Sequence, residues 1–211
     1  MLGILICYAT LHEFEPLQVR NLRRFVKCPH KIYIIHSGLS PKGASAGHME
    51  NLNALLDRAW DECDSFLFFD NDMIMLNDFT EPEEDCWYYP QQREGYEYAW
   101  TNLIYFKKHP LMRRINFATE FYGDGGGSTW KYLKEISNKK TMTPDQEGME
   151  EYQEEMKVVV EKYGIGAWSE RYMLDKTSIF HFRAMSNWTN YPAGYVEEKT
   201  KLIFKHAPTY C

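Results

Sequence analysis

The sequence predicts an α/β fold whose central sheet is mostly parallel, mixed and flanked by helices. Three short apolar runs in the first 70 residues carry this prediction, together with the helical patterns that separate them. Continuous apolar runs are typical of strands covered on both faces, and strand–helix alternation is typical of parallel sheets. The 211 residues fit one domain with a substantial core, so a single domain over residues 1–211 is expected.

The first half of the chain gives the clearest elements. Strands are expected at Leu2–Tyr8, 31–36 and Ser65–Phe69. A helix is expected to begin near Pro16, because proline favours the first helical turn. A second helix is indicated by apolar residues at i, i+3, i+4 and i+7, namely Leu52, Leu55, Leu56 and Ala59.

The second half gives weaker patterns. They predict strands at 86–89, 99–106 and 178–182, helices at 111–122 and 148–163, and a final helix after a loop that begins at residue 187.

Composition narrows the possible functions. The net charge is −6 and the basic residues are scattered, so nucleic acid is not an expected partner. The short apolar start resembles neither a signal peptide nor a membrane span, which needs about 20 apolar residues, so no membrane anchor is expected. The five cysteines form no CxxC pair and indicate reduced thiols in a cytoplasmic protein.

The triplet Asp70-Asn71-Asp72 directly follows the predicted strand Ser65–Phe69. Ligands of open α/β sheets bind outside the carboxyl ends of the strands, where two acids spaced in this way can share one divalent cation. Carboxylate oxygens suit Mg²⁺ or Mn²⁺, and such a cation can stabilise a diphosphate leaving group. The triplet therefore predicts a metal site that serves a phosphorylated ligand.

Two other interpretations of the triplet remain open. Acids often end strands because the following turn is solvated. A phosphatase of the haloacid-dehalogenase type also places two acids after a strand and uses the first, here Asp70, as nucleophile. That interpretation also requires a later strand ending in paired acids, and the sequence shows none; Glu83-Glu84-Asp85 is too close and lies in a loop-like run.

The segment FLFFDNDMIML resembles the DxD segment of glycosyltransferases with the GT-A (Rossmann-like) fold. Three later segments resemble the same family in the same order: Asn102 in WTNLIYF, the pair Asp145-Gln146, and HFRAMSNW, which contains His181. The last two resemble retaining members of the glycogenin and bacterial galactosyltransferase type. The resemblance extends over nearly the whole chain and implies transfer of a hexose, glucose-like or deoxy, from a UDP-sugar with retention of configuration.

The resemblance also implies roles for individual residues. Asp72 and His181 would bind the cation, and the imidazole ligand favours Mn²⁺ over Mg²⁺. Asp70 would contact the ribose and also the metal. Gln146 would lie near the reacting face of the sugar, and Asp145 would bind sugar hydroxyls, although Pro144-Asp145 is also an ordinary helix start.

Further residues are expected around the donor. The carboxyl ends of the first two strands should flank the uridine, although Thr10 and Ser37 also suit helix caps or turns. Asp124, in the glycine-rich GDGGGS, is an alternative catalytic acid. Ser186-Asn187 stands where the family has Lys-Pro, so Arg183 is the candidate for the diphosphate contact. The full set of expected donor-binding residues is Ala9, Thr10, His36, Ser37, Asn53, Asp70, Asn71, Asn102 and Arg183.

The expected partners follow from the resemblance: a UDP-sugar donor and a glycan or glycoprotein acceptor. The chain length also resembles that of the compact glycosyltransferases encoded by chlorella viruses, which would place it in a host cytoplasm. A module that binds sugar nucleotides without catalysis is a third possible function.

Overall fold

The computed structural model describes residues 1–8, 12–37, 44–114, 126–145, 148–165, 170–182 and 191–211. These residues form two compact units. The first unit comprises Met1–Thr10, Cys28–Asp70 and Thr80–Thr143, and the second comprises Leu11–Lys27, Asn71–Phe79 and Pro144–Cys211. The assignment of residues 1–211 to a single GT-A domain stays a prediction.

The first unit contains a six-stranded mixed sheet. Its strands are β1 (Leu2–Tyr8), β2 (His30–His36), β3 (Ser65–Phe69), β5 (Cys86–Arg93), β6 (Tyr96–Lys107) and β7 (Lys139–Thr141). They lie in the order β2-β1-β3-β6-β5-β7. The pairs β1–β2, β1–β3 and β5–β7 are parallel, whereas β6 runs antiparallel to both of its neighbours.

Helices α2 (Ala44–Ala59) and α3 (Thr129–Glu135) cover this sheet. The predicted stripe on α2 is buried against apolar side chains of the sheet, among them Leu5, Phe66 and Phe68. Gly126 precedes α3 with a φ of +93°, and a Cβ there would lie 2.2 Å from the Ala99 carbonyl oxygen. The glycine therefore allows the start of α3 to approach β6 closely.

The second unit contains a four-stranded sheet in the order β4-β10-β9-β8. Its strands are β4 (Met73–Met75), β8 (Pro144–Asp145), β9 (Glu170–Leu174) and β10 (Thr177–His181), and all described pairings are antiparallel. Its helices are α1 (Glu15–Phe25), α4 (Glu150–Tyr163) and α5 (Ala193–His206). Aromatic and aliphatic residues of α4 and α5 pack with Ile74, Phe180 and Phe182 in one apolar cluster.

Two amides of α1 complete the outer edge of β4. Gln18 Nε2 donates to the Met73 carbonyl at 2.8 Å, and Asn21 Nδ2 donates to the Met75 carbonyl at 2.9 Å. The Met75 N–H donates in return to Asn21 Oδ1 at 2.8 Å. Both amides are fully buried, so α1 takes the place of a neighbouring strand and satisfies the backbone of β4.

These observations confirm the predicted α/β class with a mostly parallel mixed sheet flanked by helices. Two local expectations differ. The predicted helix at 111–122 is a short 3₁₀ helix at Pro110–Arg114 as far as the structure describes it, and Pro144-Asp145 forms strand β8 instead of a helix start. None of the described helices is long and apolar enough to cross a membrane.

Candidate metal and donor site

The acidic triplet lies at the end of β3, as the sequence predicts. The five residues of β3 are buried, and Asp70 follows them directly. Asp70 is 4% exposed, Asp72 is 0% exposed, and His181, the last residue of β10, is 4% exposed. Such burial excludes a merely solvated turn, because ionised groups are buried only where partners or metal ions compensate the lost hydration.

The small sheet holds Asp72 and His181 together. His181 lies opposite Met73 in the β4–β10 ladder. One residue further along, the Phe182 N–H donates to the Asp72 carbonyl oxygen at 2.9 Å. This backbone pairing brings His181 Nε2 to 3.0 Å from Asp72 Oδ1.

Asp70 is oriented by β6. Phe69 pairs with Leu103 in the antiparallel β3–β6 ladder, so the next pair of positions contains Asp70 and Asn102. The Asn102 amide donates a hydrogen bond to Asp70 Oδ2. Asn102 therefore contacts the acidic triplet itself, and its role in donor binding stays a prediction.

The three side chains suit a divalent cation. Asp70, Asp72 and His181 each offer one ligand atom, and these atoms lie within 4.8 Å of one another. Two ligands about 2.1 Å from a metal and at right angles to each other lie about 3.0 Å apart, and the Asp72–His181 contact has this length. Two carboxylates and an imidazole can hold Mn²⁺, and the group can therefore bind a metal ion.

Asn102→Ala is expected to weaken Mn²⁺ binding about 10- to 100-fold, because loss of a hydrogen bond to a ligating carboxylate typically costs this much affinity. Titration of the metal-free protein with Mn²⁺ measures the effect. Asn138→Ala is the matched control, since Asn138 is exposed and belongs to the same unit. An unchanged dissociation constant in Asn102→Ala would show that Asn102 does not support the metal site.

The carboxyl ends of β1 and β2 also meet close to Asp70. Cys7 Sγ lies 3.7 Å from Ser37 Oγ, and the Ser37 N–H donates to the Tyr8 carbonyl at 2.8 Å. Burial raises the pKa of the Cys7 thiol to about 11; the hydrogen bond from Ser37 opposes this shift, and the charge of Asp70 adds to it. Ser37 thus lies at the same sheet edge as Asp70, where the sequence predicts a nucleotide-binding crevice.

Three other expected donor residues are also described. The exposed His36 ring lies 5.9 Å from the Tyr8 ring at the end of β2. Asn53 lies on α2, where its side-chain oxygen is enclosed and has no hydrogen-bond partner among the residues described. Asn71 is buried within the triplet. The roles of these residues in donor binding stay predictions.

The small sheet places Asp145 in the neighbourhood of His181. Asp145 pairs with Arg171 of β9, and Arg171 pairs with Phe180, the residue before His181. Since neighbouring strands lie about 4.8 Å apart, the backbone of Asp145 lies about 10 Å from that of Phe180. The register therefore brings the Asp145 position to the part of the sheet that carries the metal-ligand candidate.

The remaining expected site residues fall outside the described residues. They are Ala9, Thr10, Asp124, Gln146 and Arg183. Their roles stay predictions.

Two residues that hold β4, the strand after the triplet, were not singled out as functional from the sequence. Gln18 and Asn21 are polar residues on the buried side of α1, and this break in an apolar helix face was their only signal.

The chain has little detectable similarity to characterised proteins. No protein-family model matches it, and no curated protein matches its sequence. Among solved structures, a glycosyltransferase involved in the glycosylation of the major capsid of PBCV-1 matches with a TM-score of 0.41 and 13% identity. The protein A197 from STIV matches with a TM-score of 0.41 and 10% identity. Each match covers 66% of this chain and 80% of the other chain. These similarities are too low to transfer an activity to this chain.

Proposed function

We propose that this protein is a metal-dependent glycosyltransferase that moves a hexose from a UDP-sugar to a hydroxyl group of a glycan or glycoprotein. The observation that carries the proposal is the buried group formed by Asp70, Asp72 and His181 at the end of β3. The bond between the anomeric carbon and the UDP oxygen breaks and UDP keeps its electron pair. The acceptor oxygen then bonds to the same carbon and releases its proton.

The residues of the chain have distinct tasks in this reaction. Asp72 and His181 would hold the cation, which would supply positive charge to the diphosphate of the leaving group. Asp70, which accepts a hydrogen bond from Asn102, would contact the ribose and the cation. The ends of β1 and β2 accommodate the uridine, and Cys7, which contacts Ser37, lies within electrostatic reach of Asp70 at this edge.

Retention of anomeric configuration is part of the proposal. A retaining transferase needs a group on the sugar's opposite face or a route in which the acceptor attacks from the leaving-group side. We assign this region to Asp145 and Gln146, with Asp124 as the alternative acid. Asp145 belongs to β8, in the same small sheet as His181 and two strands away from it, and this common sheet supports the first assignment.

A panel of nucleotides tests the function. UDP and UDP-hexoses are expected to raise the melting temperature only with Mn²⁺ present, because ligands that bind the native state stabilise it. At a ligand concentration 100 times the dissociation constant the stabilisation is about 2.7 kcal/mol, or roughly 5–10 °C for a chain of this size. Release of UDP from a UDP-hexose, followed by chromatography, then tests turnover.

The panel also tests the two other functions. A phosphatase would be stabilised by beryllium fluoride without preference for a nucleotide, and a binding module would bind the UDP-sugar but never release UDP. Among the strands described after β4, none ends in the paired acids that the phosphatase requires, and β10 ends in His181. The structure therefore favours the transferase over the phosphatase.

A further inference from the structure

Tyr152 of α4 is a fully buried tyrosine whose hydroxyl has no hydrogen-bond partner in the described part of the chain. Its ring packs edge-to-face against Phe180 at 5.7 Å and against Phe182 at 5.2 Å. A buried hydroxyl without a partner costs folding free energy, and phenylalanine would fill the same space without that cost. The hydroxyl therefore calls for an explanation other than packing.

The position of Tyr152 connects it with the metal ligands. Phe180 and Phe182 lie on either side of His181 in the chain, and the Phe182 N–H donates to the Asp72 carbonyl. Tyr152 thus packs against the two side chains that flank His181. Phe182 lies opposite Asp72, and residues opposite each other in an antiparallel ladder point to the same face of the sheet, so the Tyr152 ring lies on the face to which Asp72 belongs.

The electrostatics of the phenol agree with this placement. Burial raises the pKa of Tyr152 well above its usual value, and the nearby Tyr195 and the charge of Asp72 raise it further. The phenol therefore stays protonated at neutral pH and can act as a hydrogen-bond donor.

We propose that the Tyr152 hydroxyl positions Asp72 for cation binding by donating a hydrogen bond to its carboxylate, directly or through one water molecule. This inference rests on the metal site of the proposed function. In the structure, Asp72 Oδ1 lies 3.0 Å from His181 Nε2, a contact that a cation held by both ligands would replace. Carboxylates that bind metals are themselves commonly hydrogen-bonded by neighbouring residues, and Tyr152 is a buried donor on the face of the ladder to which Asp72 belongs.

Tyr152→Phe separates this role from packing, because it removes the oxygen and keeps the ring. The Mn²⁺ dissociation constant is expected to rise about tenfold or more, as measured by calorimetric titration of metal-free protein. The melting temperature without metal is expected to stay equal or to rise, since the variant removes a buried hydroxyl that lacks a partner. This combination of weaker metal binding and undiminished stability is not expected of a structural residue.

Tyr132→Phe is the matched control. Tyr132 is also buried, but its hydroxyl donates to the Asp85 carbonyl at 3.3 Å in the first unit. This variant is expected to lose some stability and to bind Mn²⁺ as the wild type does. Tyr152→Phe overturns the inference if its Mn²⁺ dissociation constant stays within twofold of the wild-type value, or if its metal-free melting temperature falls as far as that of Tyr132→Phe. Failure of the wild type itself to bind Mn²⁺ would instead refute the proposed function.

Discussion

Asp72→Asn is expected to abolish the Mn²⁺-dependent binding of UDP and to lower turnover of a UDP-hexose by at least about 10³-fold. Removal of a single uncharged donor to a developing negative charge already costs about 10²–10³ in rate. Asp72→Asn removes a full charge and a metal ligand from a buried site, so the larger value is expected. Calorimetric titration with UDP, with and without Mn²⁺, and a UDP-release assay measure the two effects.

The same substitution should leave the fold intact. Asparagine has nearly the size of aspartate, and its side-chain oxygen can still face His181 Nε2. The Phe182–Asp72 backbone hydrogen bond does not involve the side chain. Loss of nucleotide binding without loss of the metal-free melting temperature would therefore locate the effect in the site.

Asp78→Asn provides the control for this experiment. Asp78 belongs to the same unit but is exposed and lies 3.4 Å from Lys27 in a surface ion pair. Surface pairs of this kind contribute little, so the variant should bind and react as the wild type does. Retention of Mn²⁺-dependent UDP binding by Asp72→Asn would contradict the metal site itself.

Local sequence patterns predicted every strand of the large sheet except β7. Strands β1 and β3 are buried on both faces, and each corresponds to one uninterrupted apolar run. Because β3 ends where the polar triplet begins, the position of Asp70 at the sheet edge could be deduced from the sequence. The stripe on α2 likewise matched the buried face of that helix.

The small sheet was predicted only in part, and the reason is its length. Strand β4 has three residues and β8 has two, so neither shows the alternation or apolar run that identifies a strand. The pairing of Asp145 with Arg171 depends on residues far apart in the chain. Proline followed by an acid therefore suggested a helix start where the tertiary structure forms a strand.

The candidate metal ligands Asp70, Asp72 and His181 also differ in whether neighbouring residues or long-range pairing identify them. The spacing of Asp70 and Asp72 is a local signal, whereas His181 was assigned only through family resemblance. Its proximity to Asp72 depends on the β4–β10 ladder, which joins segments more than 100 residues apart. The hydrogen bond from the Asn102 amide to Asp70 depends on the β3–β6 register in the same way.

The largest loss of stability is expected from Asn21→Ala, about 3–5 kcal/mol in the free energy of unfolding. Asn21 donates to the Met75 and Tyr210 carbonyls at 2.9 and 2.6 Å and accepts from the Met75 N–H at 2.8 Å. Alanine removes all three contacts and leaves buried backbone groups without partners, each costing about 1–3 kcal/mol. Urea unfolding followed by circular dichroism measures the change.

Asn21→Asp shows whether the hydrogen bonds of Asn21 or only its size matter for stability, and Asn138→Ala is the control. Asn21→Asp keeps the size and the acceptor but loses both donor contacts, so it should also destabilise the protein strongly. Asn138 is an exposed asparagine whose side-chain amide makes one long described hydrogen bond, to the Glu83 carbonyl at 3.4 Å. Asn138→Ala should therefore change stability by less than about 0.5 kcal/mol.

Asn21 also connects stability with function. It holds Met75 in β4, and β4 begins at Met73, directly after Asp72. A partly released β4 would no longer keep Asp72 opposite Phe182 in the ladder, so Asn21→Ala is expected to weaken Mn²⁺ binding even at temperatures where the protein remains folded. Wild-type Mn²⁺ affinity in a destabilised Asn21→Ala protein would show that the position of Asp72 is fixed by β10 alone, without the contribution of α1.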